Sequence, residues 1–320
     1  MIKIVPRAQL DSEAWDACVN ASLQRIIYGY SWYLDKVLPP PNWKWIGLVL
    51  IDSYDQYQAV MPVPLRRKSI VGIYREWVVH QPFFCQFLPV FSPDASVDAQ
   101  PFYDLMTRQF RYGSVFCSRQ QIRPAPFGRV KQQSTHVLDL SVDYTTLYQN
   151  YSRDRQINLG RATASNWVIL DSTDLEPLLM LFRTHHAHTI DGGVADWAYA
   201  LFKNLFDALS KRGMARLQYA TFNGRIEAGA LFVQEGNRII YLFNAASPIG
   251  RRGNARTLLI DKLVQEKAGQ RLLFDFESPI KPSIRAFYQS FGSTEEPFVN
   301  LSWNRLSDVE KAFLAVKNRF

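Results

Sequence analysis

Apolar positions along this chain switch repeatedly between short unbroken runs, as in strands, and the three-and-four spacing of helices. The pattern is clearest over residues 238–292, which read RIIYLFNAAS, PIGRRGNARTLLIDKLVQEKAG, QRLLFDFES and PIKPSIRAFYQSFG. Ile239, Ile240, Tyr241, Leu242 and Phe243 form a run suited to a strand buried on both faces. Ala255, Leu258, Leu259 and Leu263 fall on one helix face, and Gly269 closes that helix in the manner of a C′ residue. Leu272, Leu273, Phe274 and Phe276 predict a second buried strand. Ile284, Phe287, Tyr288 and Phe291 then repeat at three and four until Gly292. Such a strand–helix–strand unit predicts a right-handed crossover between neighbouring parallel strands.

The first half predicts helices over 11–19 and 28–37, the second halted by Pro39-Pro40-Pro41. Strands over 43–51 and 57–65 make a hairpin, further strand material lies in 77–91 around Pro82, and a helix follows over 101–112. Strands over 114–117 and 134–140 complete that half. In the second half Tyr144, Leu147, Tyr148 and Tyr151 mark one helix face. A strand over 167–170 and helices over 174–186 and 197–212 come next. A hairpin then turns at Asn223-Gly224, a strong turn signal. A strand over 298–303 closes the sheet, and a terminal helix is expected over 308–320. A chain of 320 residues exceeds the size at which one core keeps growing. The expectation is an α/β protein with mixed α+β sheets and two domains, 1–140 and 141–320.

Composition supports this, since 47% hydrophobic and 14% aromatic residues are ample for two cores. No apolar run reaches membrane-spanning length, and MIKIVPRAQLDSEAWDACV holds no apolar export segment, so a cytoplasmic location is expected. Cys18, Cys85 and Cys117 are widely spaced with no CxxC pattern, which reads as reduced thiols. A net charge of +8 points to an anionic partner. Basic residues gather at Arg66-Arg67-Lys68, at Arg119, Arg123, Arg129 and Lys131 around IRPAPFG, and at Arg153, Arg155 and Arg161. Each group alone reads as a solvated face. Together they fit CoA, a nucleotide-linked substrate or the acceptor end of tRNA. Signatures of the common RNA-binding modules are absent.

Chemistry concentrates where the strand–helix turn lies. Backbone amides at a helix start have no intrahelical partner, and the helix dipole adds positive charge. Residues Gly250, Arg251, Arg252, Gly253, Asn254 and Ala255 therefore read as a phosphate site or as an ordinary Gly-rich turn. Asn244 and Ser247 end the preceding strand and read as ligand contacts or as turn residues. Tyr288 is a candidate proton donor, or a core residue with a hydrogen-bonded hydroxyl. Asp275 and Glu277 alternate on one strand; either accepts a proton from an amine, or caps the next turn and pairs with Arg285. Glu227 is a weaker base candidate, with a solvated strand face as its other reading. His185, His186 and His188 precede Asp191-Gly192-Gly193, but adjacent histidines diverge on a helix and no tetrahedral set completes them. No metal site is expected, and His185 reads as a cleft residue or part of a solvated helix end.

Residues 238–292 resemble the acyl-CoA-binding core of the GNAT (Gcn5-related N-acetyltransferase) fold. That family usually shows Gln or Arg, two residues, Gly, one residue, then Gly or Ala. Here Gly253 and Ala255 match, while Gly250 stands where Gln or Arg is expected, with Arg251 beside it. LLFDFESPIKPSIRAFYQSFGS is similar to the "DFEGS…FY/FK…FG" segment of the Fem-type branch, built from two GNAT-like domains. Residues 148–162 resemble that branch's "YS…R…N…A" helix, and 30–35, 60–64 and 81–87 resemble segments of its N-terminal domain. The resemblance implies tandem GNAT-like domains, the first degenerate and on the acceptor side, the second binding donor. It implies acyl-CoA as co-substrate, held by Asn244, Ser247 and residues 250–255. In many GNAT enzymes a Tyr placed like Tyr288 protonates the departing thiolate, whereas Fem ligases tend to carry Lys there. Arg155 is then expected to line the cleft between domains, and His185 to border the acceptor. The implied activity is acyl transfer to a small-molecule or peptide-like amine. Aminoacyl transfer from aminoacyl-tRNA and a non-catalytic binding module are the alternatives.

Overall fold

A computed structural model describes residues 1–71, 74–118, 122–123, 128–190, 192–278 and 281–311. Arg119, residues 124–127 of the Pro-rich stretch, Asp191 and residues 312–320 of the expected terminal helix lie outside the described residues. The chain folds as two compact units, one of residues 1–133 with 297–320 and the other of residues 134–296.

The first unit opens with β1 (Ile2–Pro6), α1 (Ser12–Ala21), α2 (Ser31–Val37), β2 (Trp43–Ile51), β3 (Tyr57–Val71), β4 (Tyr74–His80), α3 (Gln100–Gln109) and β5 (Tyr112–Ser118). The Asp11 carboxylate starts α1 by accepting from the Glu13 and Ala14 amides. The chain crosses into the second unit within β6 (Gly128–Asp139). There follow α4 (Tyr144–Gln149), α5 (Arg153–Ala164), β7 (Val168–Ser172), α6 (Glu176–His185), α7 (Asp196–Ser210), β8 (Ala215–Phe222), β9 (Arg225–Glu235) and β10 (Arg238–Ala246). The unit continues with α8 (Pro248–Arg252), α9 (Ala255–Lys267), β11 (Leu273–Asp275) and α10 (Pro282–Gln289), and the chain leaves it within β12 (Thr294–Asn304).

In the first unit the strands lie in the order β1, β2, β3, β4, β5, β12. The last strand, expected to close the sheet of the second half, pairs antiparallel with β5 from Phe298–Ser118 to Asn304–Tyr112. Trp303 anchors it: its indole donates to the Phe110 carbonyl at 2.7 Å and lies against Gly113, where a Cβ would approach the ring to 2.6 Å. Met61, Val63, Phe102, Met106 and Leu301 fill the core around it.

In the second unit the order is β6, β11, β10, β9, β8, β7. The Asn223-Gly224 hairpin forms as its turn chemistry requires, both residues taking positive φ (48° and 74°). The expected helix at Tyr144 divides into α4 and α5, because the Ser152 hydroxyl accepts from the Arg155 amide and starts a new helix. The strand–helix–strand expectation holds: β10 and β11 are parallel neighbours. Their pairing covers only Arg238–Leu273 to Ile240–Asp275. Beyond it β10 runs on to Ala246, while β11 has ended. A bulge against β9 falls between Tyr241 and Phe243, just past the end of the β10–β11 pairing. Ile239, Tyr241, Phe274 and Phe276 pack into one core with Leu259 and Leu263 of α9 and Tyr288 of α10. Phe243 instead meets Phe182 of α6 and Phe202 of α7, at ring distances of 4.9 and 4.6 Å.

Candidate functional site

The turn from β10 into α9 is built tightly. The Ser247 hydroxyl accepts from the Gly250 amide at 3.0 Å and donates to the Glu227 carboxylate. Glu227 is buried, so it supports the turn from beneath instead of facing solvent. Gly250 lies on the Glu227 carbonyl, where a Cβ would approach the oxygen to 2.1 Å. Gly253 lies under the Trp167 ring, 2.4 Å from a would-be Cβ, and its carbonyl accepts from the Trp167 indole at 3.0 Å. Both glycines are therefore packing requirements of this turn. Asn254 takes a left-handed φ of 55°, and its side chain does not cap α9. The first amides of α9 thus have no side-chain cap, with exposed Arg251 and Arg252 on the turn. Uncapped amides, helix dipole and cations together suit a phosphate.

Three residues before Ser247, the Asn244 side-chain oxygen Oδ1 accepts from an Arg256 guanidinium nitrogen at 3.0 Å. Arg256 also lies 5.6 Å over the Phe287 ring. Tyr288 sits beside this pair, its ring stacked on Phe276 at 4.7 Å and edge-on to Tyr241 at 6.2 Å. Burial pushes the Tyr288 hydroxyl up to about 12, opposed by the nearby Arg256 charge and a hydrogen bond with Asn244. It is therefore protonated at neutral pH and available as a donor. Half-buried Glu277 lies close enough for its charge to act on Tyr288. Its backbone has a φ of 47°, an uncommon conformation for a non-glycine residue.

Asp275 has a different position from Glu277. It is 0% exposed, and its oxygens accept from the Thr135 hydroxyl at 2.8 Å, the Glu277 amide at 2.8 Å and the Arg238 guanidinium at 2.8 and 3.0 Å. Its partner is Arg238 and not Arg285, which bonds Ser134 and Glu295. With its acceptor sites filled in the interior, Asp275 anchors the turn that carries Glu277. The strand alternation that grouped the two carboxylates ends at Asp275, where β11 stops. Beside this anchor the Ser278 hydroxyl lies 3.0 Å from His136 Nδ1.

Arg155 is likewise an interior residue of the second unit. It donates to Ser290 Oγ at 2.9 Å and Thr257 Oγ1 at 2.5 Å, and stacks over Phe287 and Phe291 at 4.2 and 4.6 Å. Its aromatic and hydroxyl partners draw it under α9 and α10, so it packs these helices together in place of lining an open cleft. His186 Nε2, and not a His185 nitrogen, reaches the end of β10, lying 3.1 Å from both the Ala246 amide and carbonyl. No group of His, Cys, Asp and Glu suited to a metal ion occurs among the described residues. Arg256 and Trp167 were not picked out by the sequence motifs. Arg256 directly follows the Gly253-Asn254-Ala255 match, and that adjacency was the available signal.

The short β10–β11 pairing, the tight turn into an uncapped helix and buried Tyr288 thus lie together in the second unit. Residues 150–276, which lie within the second unit, match the family described as Acetyltransferase (GNAT) domain. Solved structures are similar to this chain over nearly its whole length. That of FemX has a TM-score of 0.65 at 13% identity, covering 95% of this chain and 98% of the other. A tandem GNAT protein from the clavulanic acid biosynthesis pathway gives 0.54 at 12%, covering 96% and 100%. The structure of L-PGS from Bacillus licheniformis gives 0.51 at 11%, covering 96% of each. At these identities the likeness is one of fold, that of Fem-like tandem GNAT proteins. Among curated proteins, none matches the sequence.

Proposed function

We propose that the protein transfers an acyl group from acyl-CoA to a small-molecule or peptide-like amine. The observation that carries this reading is the buried Tyr288 hydroxyl beside Arg256 and Asn244, the latter three residues before Ser247. Donor phosphates rest on residues 250–255 and the α9 amides, and the thioester lies at Tyr288. The amine nitrogen attacks the carbonyl carbon and gives its proton to Glu277. The carbon–sulfur bond breaks, and the Tyr288 hydroxyl meets the departing thiolate as a proton donor. The proton held by Glu277 then returns to the Tyr288 phenolate, so that, in sum, the proton lost from nitrogen ends on sulfur and both side chains are restored. The Arg256 charge favours the thiolate and opposes the rise in the Tyr288 value, both of which assist this step. Donor binding and chemistry belong to the second unit, and acceptor recognition to the first. The buried thiols of Cys18, Cys85 and Cys117 accord with a reducing, cytoplasmic setting.

Aminoacyl transfer from aminoacyl-tRNA is the second reading. It is favoured by Gly250, which stands where CoA-binding members usually carry Gln or Arg, and by the likeness in fold to FemX. A panel of acyl-CoAs and aminoacyl-tRNAs tested by thermal shift separates the two, since a ligand of the native state raises apparent stability with concentration. Arg251→Ala with Arg252→Ala should weaken acetyl-CoA binding, each lost charge-assisted contact costing about 1.5–3 kcal/mol. Unchanged affinity in that double variant rules out the phosphate placement.

A further inference from the structure

The aromatic cluster at the end of the β10–β11 pairing contains one hydroxyl that the proposed reaction does not use. Tyr241 is 2% exposed, and its hydroxyl has no hydrogen-bond partner among the described residues. Its ring stacks on Phe232 at 5.4 Å and lies 6.3 Å from Phe274 and 6.2 Å from Tyr288. The surrounding positions Phe232, Phe274 and Phe276 fill equivalent space without a polar atom. A buried hydroxyl left unpaired costs about 1–3 kcal/mol, and phenylalanine at 241 would avoid that cost.

The location of this hydroxyl suggests what it serves. Going backward along β10 from the turn, Ser247 marks the proposed phosphates and Asn244 the proposed leaving group. Tyr241 lies three residues further back, about 10 Å along an extended strand at roughly 3.3 Å per residue, less the local bulge. A donor that lays its phosphates on the turn and its thioester at Tyr288 thus extends its acyl chain toward Tyr241. We infer that Tyr241 is a specificity residue for the acyl group, and that the transferred chain carries an oxygen-bearing polar group a few atoms beyond its thioester carbonyl. Arg256 lies close enough for its charge to act on this hydroxyl, which disfavours an ammonium there and favours a hydroxyacyl, oxoacyl or carboxyacyl chain. This inference rests on the acyl-CoA reading above.

The test compares 3-hydroxybutyryl-CoA with butyryl-CoA by calorimetric titration of the wild-type chain and of Tyr241→Phe. The wild type should prefer the hydroxylated thioester by roughly 5- to 30-fold, the value of one recovered hydrogen bond. Tyr241→Phe should bring the ratio near one while its melting temperature stays equal or rises, because an unpaired buried hydroxyl has gone. A residue of purely structural role would lower the melting temperature and leave the ratio alone, and that result overturns the inference. A wild type that prefers butyryl-CoA, or shows no preference, overturns it as well. If no acyl-CoA binds the wild type at all, the donor reading falls and this inference falls with it. Binding with an unchanged ratio in Tyr241→Phe removes only the latter.

Discussion

Replacing Asp275 by alanine separates an anchor from a catalytic base. The carboxylate is wholly buried and accepts from Thr135, the Glu277 amide and two Arg238 nitrogens, while Arg238 is also held by Glu296. Removing one partner of a buried pair typically costs about 3–5 kcal/mol, because the other charge stays behind without compensation. Glu296 keeps part of the Arg238 charge balanced, so the lower end, about 3 kcal/mol, is expected. For a domain of this size, roughly 2–4 °C per kcal/mol converts that to a fall of about 6–12 °C in melting temperature. Urea unfolding should show a lower midpoint with an unchanged slope, the signature of lost stability without a changed denatured state. Asp275→Asn should lose less, since its amide oxygen still accepts a hydrogen bond. If Asp275→Ala unfolds like the wild type yet loses acyl transfer by 100-fold or more (about 2.7 kcal/mol of barrier), Asp275 is a chemical participant and the anchor argument is wrong.

Two further outcomes follow from the same geometry. Gly250→Ala places a Cβ 2.1 Å from the Glu227 carbonyl oxygen, so the turn must shift; a loss of about 1–3 kcal/mol and weaker donor binding are expected. Thermal melts and donor titration check this, and a variant unchanged in both contradicts the packing described for the turn. His136 and His186 are held below their usual 6.5 chiefly by burial, which Arg285 reinforces at His136 and Glu295 opposes. In that case the unfolded chain binds more protons below about 6.5, so their contribution to stability is present above that pH and lost as pH falls toward the folded values. Urea unfolding from about pH 7.5 to 5 should show this decline, and His136→Leu should flatten it; an unaltered slope in the variant places the titration elsewhere.

The order β10, α9, β11, α10 was legible because each element carries a strong period and an explicit stop. Ala255, Leu258, Leu259 and Leu263 are all buried, as their spacing requires. The turn beneath them was legible as a motif, but the reasons for its glycines were not: Glu227 and Trp167 reach it from distant strands and loops. The same limit explains Asp275, whose partner Arg238 lies 37 residues away on a neighbouring strand. Arg155 reads as a surface cation beside exposed Arg153 and Arg161, yet Ser290, Thr257 and two phenylalanine rings draw it inside. Neighbouring residues on a helix differ by about 100° in direction, so the sequence could not tell whether His185 or His186 would face β10. Strand 294–304 carries strand-like alternation, but alternation does not choose a partner, and β5 with Gly113 supplied the one that admits Trp303.

The central claim is that Tyr288 supplies the proton donor for a departing thiolate. It is tested most directly by the rate of free-thiol release from the best acyl-CoA with Tyr288→Phe. The ring and its stacking on Phe276 are kept, and only the buried hydroxyl is lost. Donor binding should persist while turnover falls by roughly 10²–10⁴-fold, the usual contribution of a positioned proton donor. Full turnover in Tyr288→Phe contradicts the claim and leaves the tyrosine as a core residue.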